Sequence, residues 1–137
     1  MRAVLDPNVI ISGLLSRAGS PARVLRAWDE GQFELVVSRE LLEELARALS
    51  YPKLRRHISE QDAGAVMGWI SASATSVADP ESEPPVRSED PGDDYLVALA
   101  WAERAVLVSG DTHLLDLSDE IPVYSPRRFL AMLAERS

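Results

Sequence analysis

The residues of this sequence best suited to chemistry are acidic side chains that border short apolar segments. Asp6 follows one apolar run, Asp111 follows another, and the pair Asp93 and Asp94 opens a third. Carboxylates that converge on one point repel each other unless a cation neutralises them. Mg²⁺ and Mn²⁺ bind oxygen ligands and leave coordination positions for a phosphate. If these acids converge, they could bind a divalent metal and hydrolyse a phosphodiester without a nucleophilic side chain.

An alternating pattern of strands and helices would bring the acids together. Strands are predicted at 2–6, 33–37, 75–78, 105–109 and 122–124, with helices at 9–15, 20–30, 39–49, 60–72, 93–102, 113–117 and from 126 onward. The proline-rich acidic segment 79–92 is predicted to be a surface loop. This order is typical of an α/β fold, a three-layer α/β/α sandwich with a mostly parallel central sheet of four to five strands. In such sheets the binding crevice lies beyond the carboxyl ends of the strands, where Asp6 and Asp111 are expected.

Two glutamates on the predicted helix 39–49 are further candidates. On a helical wheel Glu44 lies about 40° from the apolar-side residue Ala48, whereas Glu43 points more directly to solvent. The wheel therefore favours Glu44. Each acid taken singly also has a structural interpretation, because aspartates commonly cap turns and acids at a helix start favour the helix dipole.

Composition limits the class of protein. The chain has 137 residues, 46% of them hydrophobic, so we predict one domain over residues 1–137. It has no cysteine, which excludes thiolate metal sites, and no apolar run suited to a membrane span. These features fit a cytoplasmic protein. The net charge of −8 is unusual for a nucleic-acid enzyme, but seven acids and one arginine in residues 79–94 account for −6 of it.

Several short motifs occur in a fixed order along nearly the whole chain. They are Val4-Leu5-Asp6-Pro7-Asn8-Val9, Ile11-Ser12-Gly13-Leu14-Leu15, Val37-Ser38 followed by Glu44-Leu45, Tyr51-Pro52-Lys53-Leu54, Asp90-Pro91-Gly92-Asp93-Asp94 leading to Ala98-Leu99-Ala100, and Val108-Ser109-Gly110-Asp111 before Leu114-Leu115. Any one of them is weak, but the ordered series resembles the PIN-domain family, in particular its toxins of toxin–antitoxin systems related to the VapC toxins.

The resemblance implies a role for each acid. Asp6, Glu44, Asp94 and Asp111 match the four catalytic acids of the family. Asp6 and Asp94 would bind Mg²⁺ or Mn²⁺ directly, while Asp111 and Glu44 would complete the site directly or through water. A water molecule would be the nucleophile. The choice between Asp93 and Asp94 stays open at this point, because consecutive helical residues point about 100° apart.

Three residues are expected to support the site, and one departs from the family pattern. Asn8 would shape the first loop, and Asp93 and Ser109 are the other supporting candidates. Pro7 stands where many family members have threonine. A hydroxyl often used to support the site is therefore missing at this position.

By the same resemblance the protein would be a Mg²⁺- or Mn²⁺-dependent endoribonuclease and the toxin of a toxin–antitoxin pair. Its expected partners are an RNA substrate, a cognate antitoxin protein and a second copy of the chain in a homodimer. The basic side chains Lys53, Arg55 and Arg56 are candidates for RNA binding, although a solvated helix end is the simpler interpretation of that segment.

Two other functions fit part of the pattern. The first is a PIN-like module that binds RNA or protein without turnover, for which Pro7 is the main support. The second is a phosphorylation-controlled receiver domain, which also gathers acids around Mg²⁺ at strand ends. A receiver needs a lysine on a late strand, and Lys53 is the only lysine in the chain.

Overall fold

Five short parallel strands form the centre of the computed structural model, which describes residues 1–136. They are β1 (Arg2–Leu5), β2 (Glu34–Val37), β3 (Thr75–Ser76), β4 (Val106–Val108) and β5 (Val123–Tyr124), in the spatial order β3-β2-β1-β4-β5. The central strand is almost wholly apolar and its residues 3–5 are fully buried. Such strands are typical of parallel sheets covered on both faces. The predicted α/β/α sandwich is therefore confirmed.

Helices connect the strands and cover the sheet. They are α1 (Pro7–Leu15), α2 (Ser20–Asp29), α3 (Arg39–Leu49), α4 (Pro52–Arg55), α5 (Glu60–Ser73), α6 (Asp94–Ala102), α7 (Thr112–Leu115) and α8 (Pro126–Arg136), with a 3₁₀ turn at Pro91–Asp93. Helix α6 packs on β1 and β4, whereas α2 contacts α1 and α8. None of the helices within residues 1–136 is long and apolar enough to cross a membrane.

Serine caps explain several helix starts. Ser38 Oγ accepts from the Leu41 amide at 3.3 Å and Ser59 Oγ accepts from the Asp62 amide at 3.0 Å. Ser125 Oγ likewise accepts from the Arg128 amide at 3.2 Å, in line with the general preference for serine at helix starts. Helix α2 begins differently, because Ser20 is its first helical residue and Gly19, which precedes it, has no side chain to cap the helix.

Other differences concern element ends. The segment from Pro52 is not only the end of α3, because it forms the short helix α4. The predicted helix 20–30 ends at Asp29, and Gly31 just beyond it has a φ of 77°, a left-handed conformation that glycine adopts without steric cost. The predicted domain 1–137 includes Ser137, which lies outside the described residues.

The strand register determines which residues meet at the carboxyl ends of the sheet, an edge called here the carboxyl edge. Leu5 of β1 pairs with Val108 of β4, and the Asp6 amide donates to the Val108 carbonyl at 2.9 Å. Asp6 and Ser109 are therefore neighbours at this edge, although 103 residues separate them in the chain. The strand order also differs from the 2-1-3-4-5 order of receiver domains.

Candidate active site

Asp6 is held at the carboxyl edge by its position between β1 and α1. It is the N-cap of α1, and its Oδ1 accepts from the Asn8 amide at 3.0 Å. Pro7 occupies the first turn of the helix, where the amide hydrogen that proline lacks is not needed. The carboxyl group is buried, with only 4% of Asp6 exposed. The side chain of Asn8 is exposed, so its amide nitrogen rather than its side chain supports Asp6 here.

Ser109 joins two of the predicted acids. Its fully buried hydroxyl donates to Asp6 Oδ2 at 2.8 Å and accepts from the Asp111 amide at 3.0 Å. Asp111 in turn caps α7, accepting from the His113 amide at 2.9 Å. The sequence predicted Ser109 only as a supporting residue. The structure places it as the link between Asp6 and the loop that carries Asp111.

Asp93, rather than Asp94, lies beside these two acids. Asp93 ends the 3₁₀ turn and interacts electrostatically with both Asp111 and Asp6. Asp94 is turned to the preceding loop, where its Oδ1 accepts from the Ser88 amide at 2.8 Å and its Oδ2 lies 3.4 Å from the Arg87 guanidinium. The structure therefore assembles Asp6, Asp93 and Asp111, a set called here the acidic cluster.

The loop before α6 orients the two neighbouring aspartates in different directions. Asp90 Oδ1 accepts from the Gly92 amide at 3.0 Å, and the Asp90 carbonyl accepts from the Asp93 amide at 3.0 Å. Buried Ser88 accepts from the Asp90 amide at 3.2 Å. Sequence reasoning missed Ser88 and Asp90, although an aspartate two residues before a glycine is a recognisable signal for such a turn.

The acidic cluster carries an electrostatic penalty. Burial raises the pKa of Asp6, hydrogen bonds from Asn8 and Ser109 oppose the rise, and the charge of Asp111 adds to it. The pKa of Asp93 is raised to about 7, mainly by burial and also by a hydrogen bond with Asp111 and the charges of Asp111, Asp6 and Asp90. In the described part of the chain, the Oδ2 atom of Asp93 is buried without a hydrogen-bond partner. A cation would relieve this penalty directly.

The three carboxylates of the acidic cluster suit a hard divalent cation, although they do not by themselves form a complete metal site. All three side chains offer carboxylate oxygens, which Mg²⁺ and Mn²⁺ prefer. Within the described part of the chain, no three His, Asp or Glu side chains converge closely enough to form a complete ligand set. Mg²⁺ commonly keeps several waters and uses one or two carboxylates, so the acidic cluster suffices chemically. A cavity of about 400 Å³ beside Asp6 and Asp111 leaves room for a phosphate group.

Glu44 is half-buried on α3 and is not part of the acidic cluster in this conformation. Its carboxylate pairs with the Arg47 guanidinium one turn along the helix. Both residues line an open groove of about 400 Å³ together with Arg39, Glu40, Glu43 and Asp79. The helical wheel predicted that Glu43 points more directly to solvent than Glu44. Glu43 is indeed the more exposed of the two, and its carboxylate pairs with Arg39 at 2.9 Å.

Tyr95, in the first turn of α6, was not among the predicted site residues. Burial raises the pKa of its phenol above the ordinary value, and the charges of Asp6, Asp93 and Glu40 raise it further while Arg47 lowers it. The phenol is therefore within electrostatic range of acids from the cluster and of charged residues on α3. Only its place directly after two aspartates could have indicated this in the sequence.

The predicted RNA-binding side chains belong to α4 and its end. Lys53 and Arg56 are exposed, whereas Arg55 is half-buried and its Nη1 atom has no hydrogen-bond partner within residues 1–136. The segment is therefore partly a solvated helix end, and its contact with RNA stays a prediction.

Comparison with known proteins agrees with this geometry. Residues 2–113 match the family described as PIN domain, and this range contains every predicted acid of the site. An uncharacterized protein of Methanocaldococcus jannaschii, MJ1680, is 27% identical over 121 residues, covering 88% of this chain and 77% of that protein. PIN domains are generally nucleases and generally use divalent metals. With its parallel sheet and its match over residues 2–113, the chain belongs to the PIN-domain family and has a nuclease-type fold.

Proposed function

We propose that this protein is a Mg²⁺- or Mn²⁺-dependent endoribonuclease that hydrolyses RNA phosphodiester bonds. One observation carries the proposal. Asp6, Asp93 and Asp111 come from three separate parts of the chain to one edge of the sheet, where an oxygen of Asp93 is buried without a partner among residues 1–136. A purely structural role would not require three carboxylates at one edge, where the charge of Asp111 helps to raise the pKa of both Asp6 and Asp93.

The residues of the chain divide the work of such a site. Asp6 is the rigid member, because Ser109 and the Asn8 amide hold both of its oxygens. Asp111 is half-buried and lines the adjacent cavity together with Asp6, and half-buried Asp93 interacts electrostatically with both. A divalent cation bound there would neutralise the carboxylates, polarise the phosphodiester and activate the attacking water.

We further propose that the nuclease is the toxin of a toxin–antitoxin pair, that it forms a homodimer and that a cognate antitoxin inhibits it. The support is the ordered series of motifs, which resembles the VapC-like branch of the family. Exposed Lys53 and Arg56, near the end of the α3 helix that carries Glu44, would contribute to RNA binding. Induced expression should arrest growth of a bacterial host, and a protein encoded directly upstream should relieve the arrest.

The decisive test is cleavage of a labelled single-stranded RNA by purified protein. We expect cleavage with Mn²⁺ or Mg²⁺, none with a chelator, and a loss of at least about 100-fold in Asp6→Asn, since a transition-state interaction of about 3 kcal/mol corresponds to this factor. Equal cleavage by wild type and Asp6→Asn would reveal a contaminating nuclease or another site.

A non-catalytic RNA-binding module is the second candidate. It is favoured by the pairing of Glu44 with Arg47 away from the acidic cluster, and by Pro7 in the first motif. RNA binding by the wild type without divalent-dependent cleavage would select this function over the nuclease.

A further inference from the structure

The cavity that adjoins the acidic cluster is also lined by one face of α1. Asn8 and Ser12 line it together with Asp6 and Asp111. Both are exposed, whereas the three α1 residues between them are buried in the core. Side chains four residues apart on a helix lie on the same face, with about 5–6 Å between their Cβ atoms. Helix α1 therefore presents two polar side chains to the same cavity as the two acids.

The other described residues around this cavity carry no basic group. They are Val9, Pro21, Gly110 and Pro126, from α1, the starts of α2 and α8 and the loop after β4. Phosphate groups are bound most strongly by arginine, lysine or metal ions. The phosphodiester therefore belongs at the acidic cluster, and the neutral face of α1 suits an uncharged part of the substrate.

Ribose is the uncharged part of RNA that is bonded directly to the phosphodiester. Asn8 lies beside the acidic cluster, because its backbone amide donates to Asp6 Oδ1 at 3.0 Å. The asparagine amide and the serine hydroxyl each offer both a donor and an acceptor, and so does the 2′-hydroxyl of ribose. The side chains of Asn8 and Ser12 therefore match the sugar next to the cleaved bond.

Hydrolysis by an attacking water does not by itself distinguish RNA from DNA. In the proposed reaction that water is the nucleophile, and the 2′-hydroxyl takes no part. The two nucleic acids present the same phosphodiester to such a site. A preference for RNA must therefore come from side chains that contact the sugar or the base.

We propose that Asn8 and Ser12 form a ribose subsite, which binds the 2′-hydroxyl of the nucleotide next to the cleaved phosphodiester and selects RNA over DNA. This inference rests on the proposed nuclease function and assigns its choice of substrate to two side chains. Helix α1 supports the subsite rigidly, because Gly13 lets it lie directly against α2: a Cβ at Gly13 would lie 2.6 Å from Leu25 Cδ1.

The test compares the binding of a short labelled single-stranded RNA with that of a DNA of the same sequence, chosen without uracil or thymine so that only the sugars differ. Binding is measured with Asp6→Asn in a chelator at low salt, so that turnover plays no part. Both strands carry the same phosphates, so the ratio of their affinities cancels the shared electrostatic contribution. We expect Asp6→Asn to prefer RNA about 25-fold, because two neutral hydrogen bonds contribute about fivefold each.

Asn8→Ala and Ser12→Ala, each added to Asp6→Asn, should reduce this preference about fivefold. Both replaced side chains are exposed and alanine favours helices, so the fold should be preserved. Ser16→Ala is the matched control, because it removes the same hydroxyl from an exposed serine at the end of α1, away from the residues that line the cavity. It should keep the full preference for RNA.

Cleavage of RNA by wild type with Mn²⁺ is measured separately. If wild type cleaves RNA but Asp6→Asn binds RNA and DNA alike, or either alanine variant keeps the full preference, the ribose subsite is refuted while the nuclease stands. An equal loss of affinity for both strands would also refute it, by assigning Asn8 and Ser12 to the base or the phosphate. If the protein prefers RNA through these side chains but wild type does not cleave it, the subsite stands and the nuclease fails.

Discussion

Replacing Asp93 by asparagine should stabilise the metal-free protein at neutral and higher pH. The pKa of Asp93 is raised from 3.8 to about 7, so the folded state binds more protons than the unfolded state between these values. The free energy of unfolding therefore falls as the pH rises through this range. Asparagine has no charge to bury, and its amide can still donate to Asp111. The free energy of unfolding of the variant should therefore not fall in this way as the pH rises.

The size of the stability gain follows from the shift in the pKa of Asp93. A pKa moved from 3.8 to about 7 corresponds to at most about 4 kcal/mol. Water reaches the half-buried carboxyl and screens its charge, which reduces the expected gain to about 1–2 kcal/mol. For a domain of this size, the melting temperature at pH 8 should rise by roughly 3–8 °C.

The assay is thermal unfolding in a chelator at pH 5 and pH 8, followed by circular dichroism. The gain of Asp93→Asn should be large at pH 8 and smaller at pH 5, where Asp93 of the folded wild type is mostly protonated. Asp94→Asn is the matched control, since it removes an identical charge that is satisfied by Ser88 and Arg87. It should give no gain at either pH.

Divalent metal should favour wild type over Asp93→Asn in thermal stability, the opposite of the effect of the substitution in a chelator. Mn²⁺ bound to the folded state alone raises the melting temperature, and the rise should be larger for wild type and Asp94→Asn than for Asp93→Asn. Our reasoning about the acidic cluster would be refuted if Asp93→Asn were no more stable than wild type at pH 8, or if all three proteins responded equally to Mn²⁺.

Two further changes test the surroundings of the site. Ser109→Ala removes the donor to Asp6 and the acceptor for the Asp111 amide. It should therefore destabilise the protein by about 1–3 kcal/mol in urea unfolding, more at pH 8 than at pH 4, and impair cleavage. An unchanged unfolding midpoint at both pH values would exclude the proposed link through Ser109. Gly13→Ala should lower the free energy of unfolding by about 1–3 kcal/mol, because its Cβ would lie 2.6 Å from Leu25 Cδ1 and 3.1 Å from the Pro21 backbone. A variant as stable as wild type would show that α1 and α2 can separate freely.

The fold was predictable because its signals are local and repeated. Apolar runs predict the parallel strands, and serine caps fix the starts of α3, α5 and α8. The convergence of Asp6 and Asp111 also follows from the sequence, because parallel strands end at one edge. These inferences depend on periodicity and topology, which single residues rarely override.

The orientation of side chains within the site was not predictable in the same way. Asp93 and Asp94 have the same chemistry and adjacent positions, and bonds from Ser88 and within the 90–93 turn decide between them. These contacts lie in a loop without periodicity. Glu44 shows the same limit, since the wheel gives its direction on the helix but not its pairing with Arg47.

Replacing Asp93 by asparagine should raise the stability of the metal-free protein but lower its cleavage of RNA. A residue kept only for packing would lower stability when it is changed, with metal or without it. A carboxylate kept for a cation would instead raise stability when it is neutralised in a chelator, and would lower both metal response and cleavage when metal is present. This opposition is the physical signature of a functional site that is stabilised only when its ligand is bound. Asp94, whose carboxylate is already satisfied by the Ser88 amide and Arg87, has no reason to produce it.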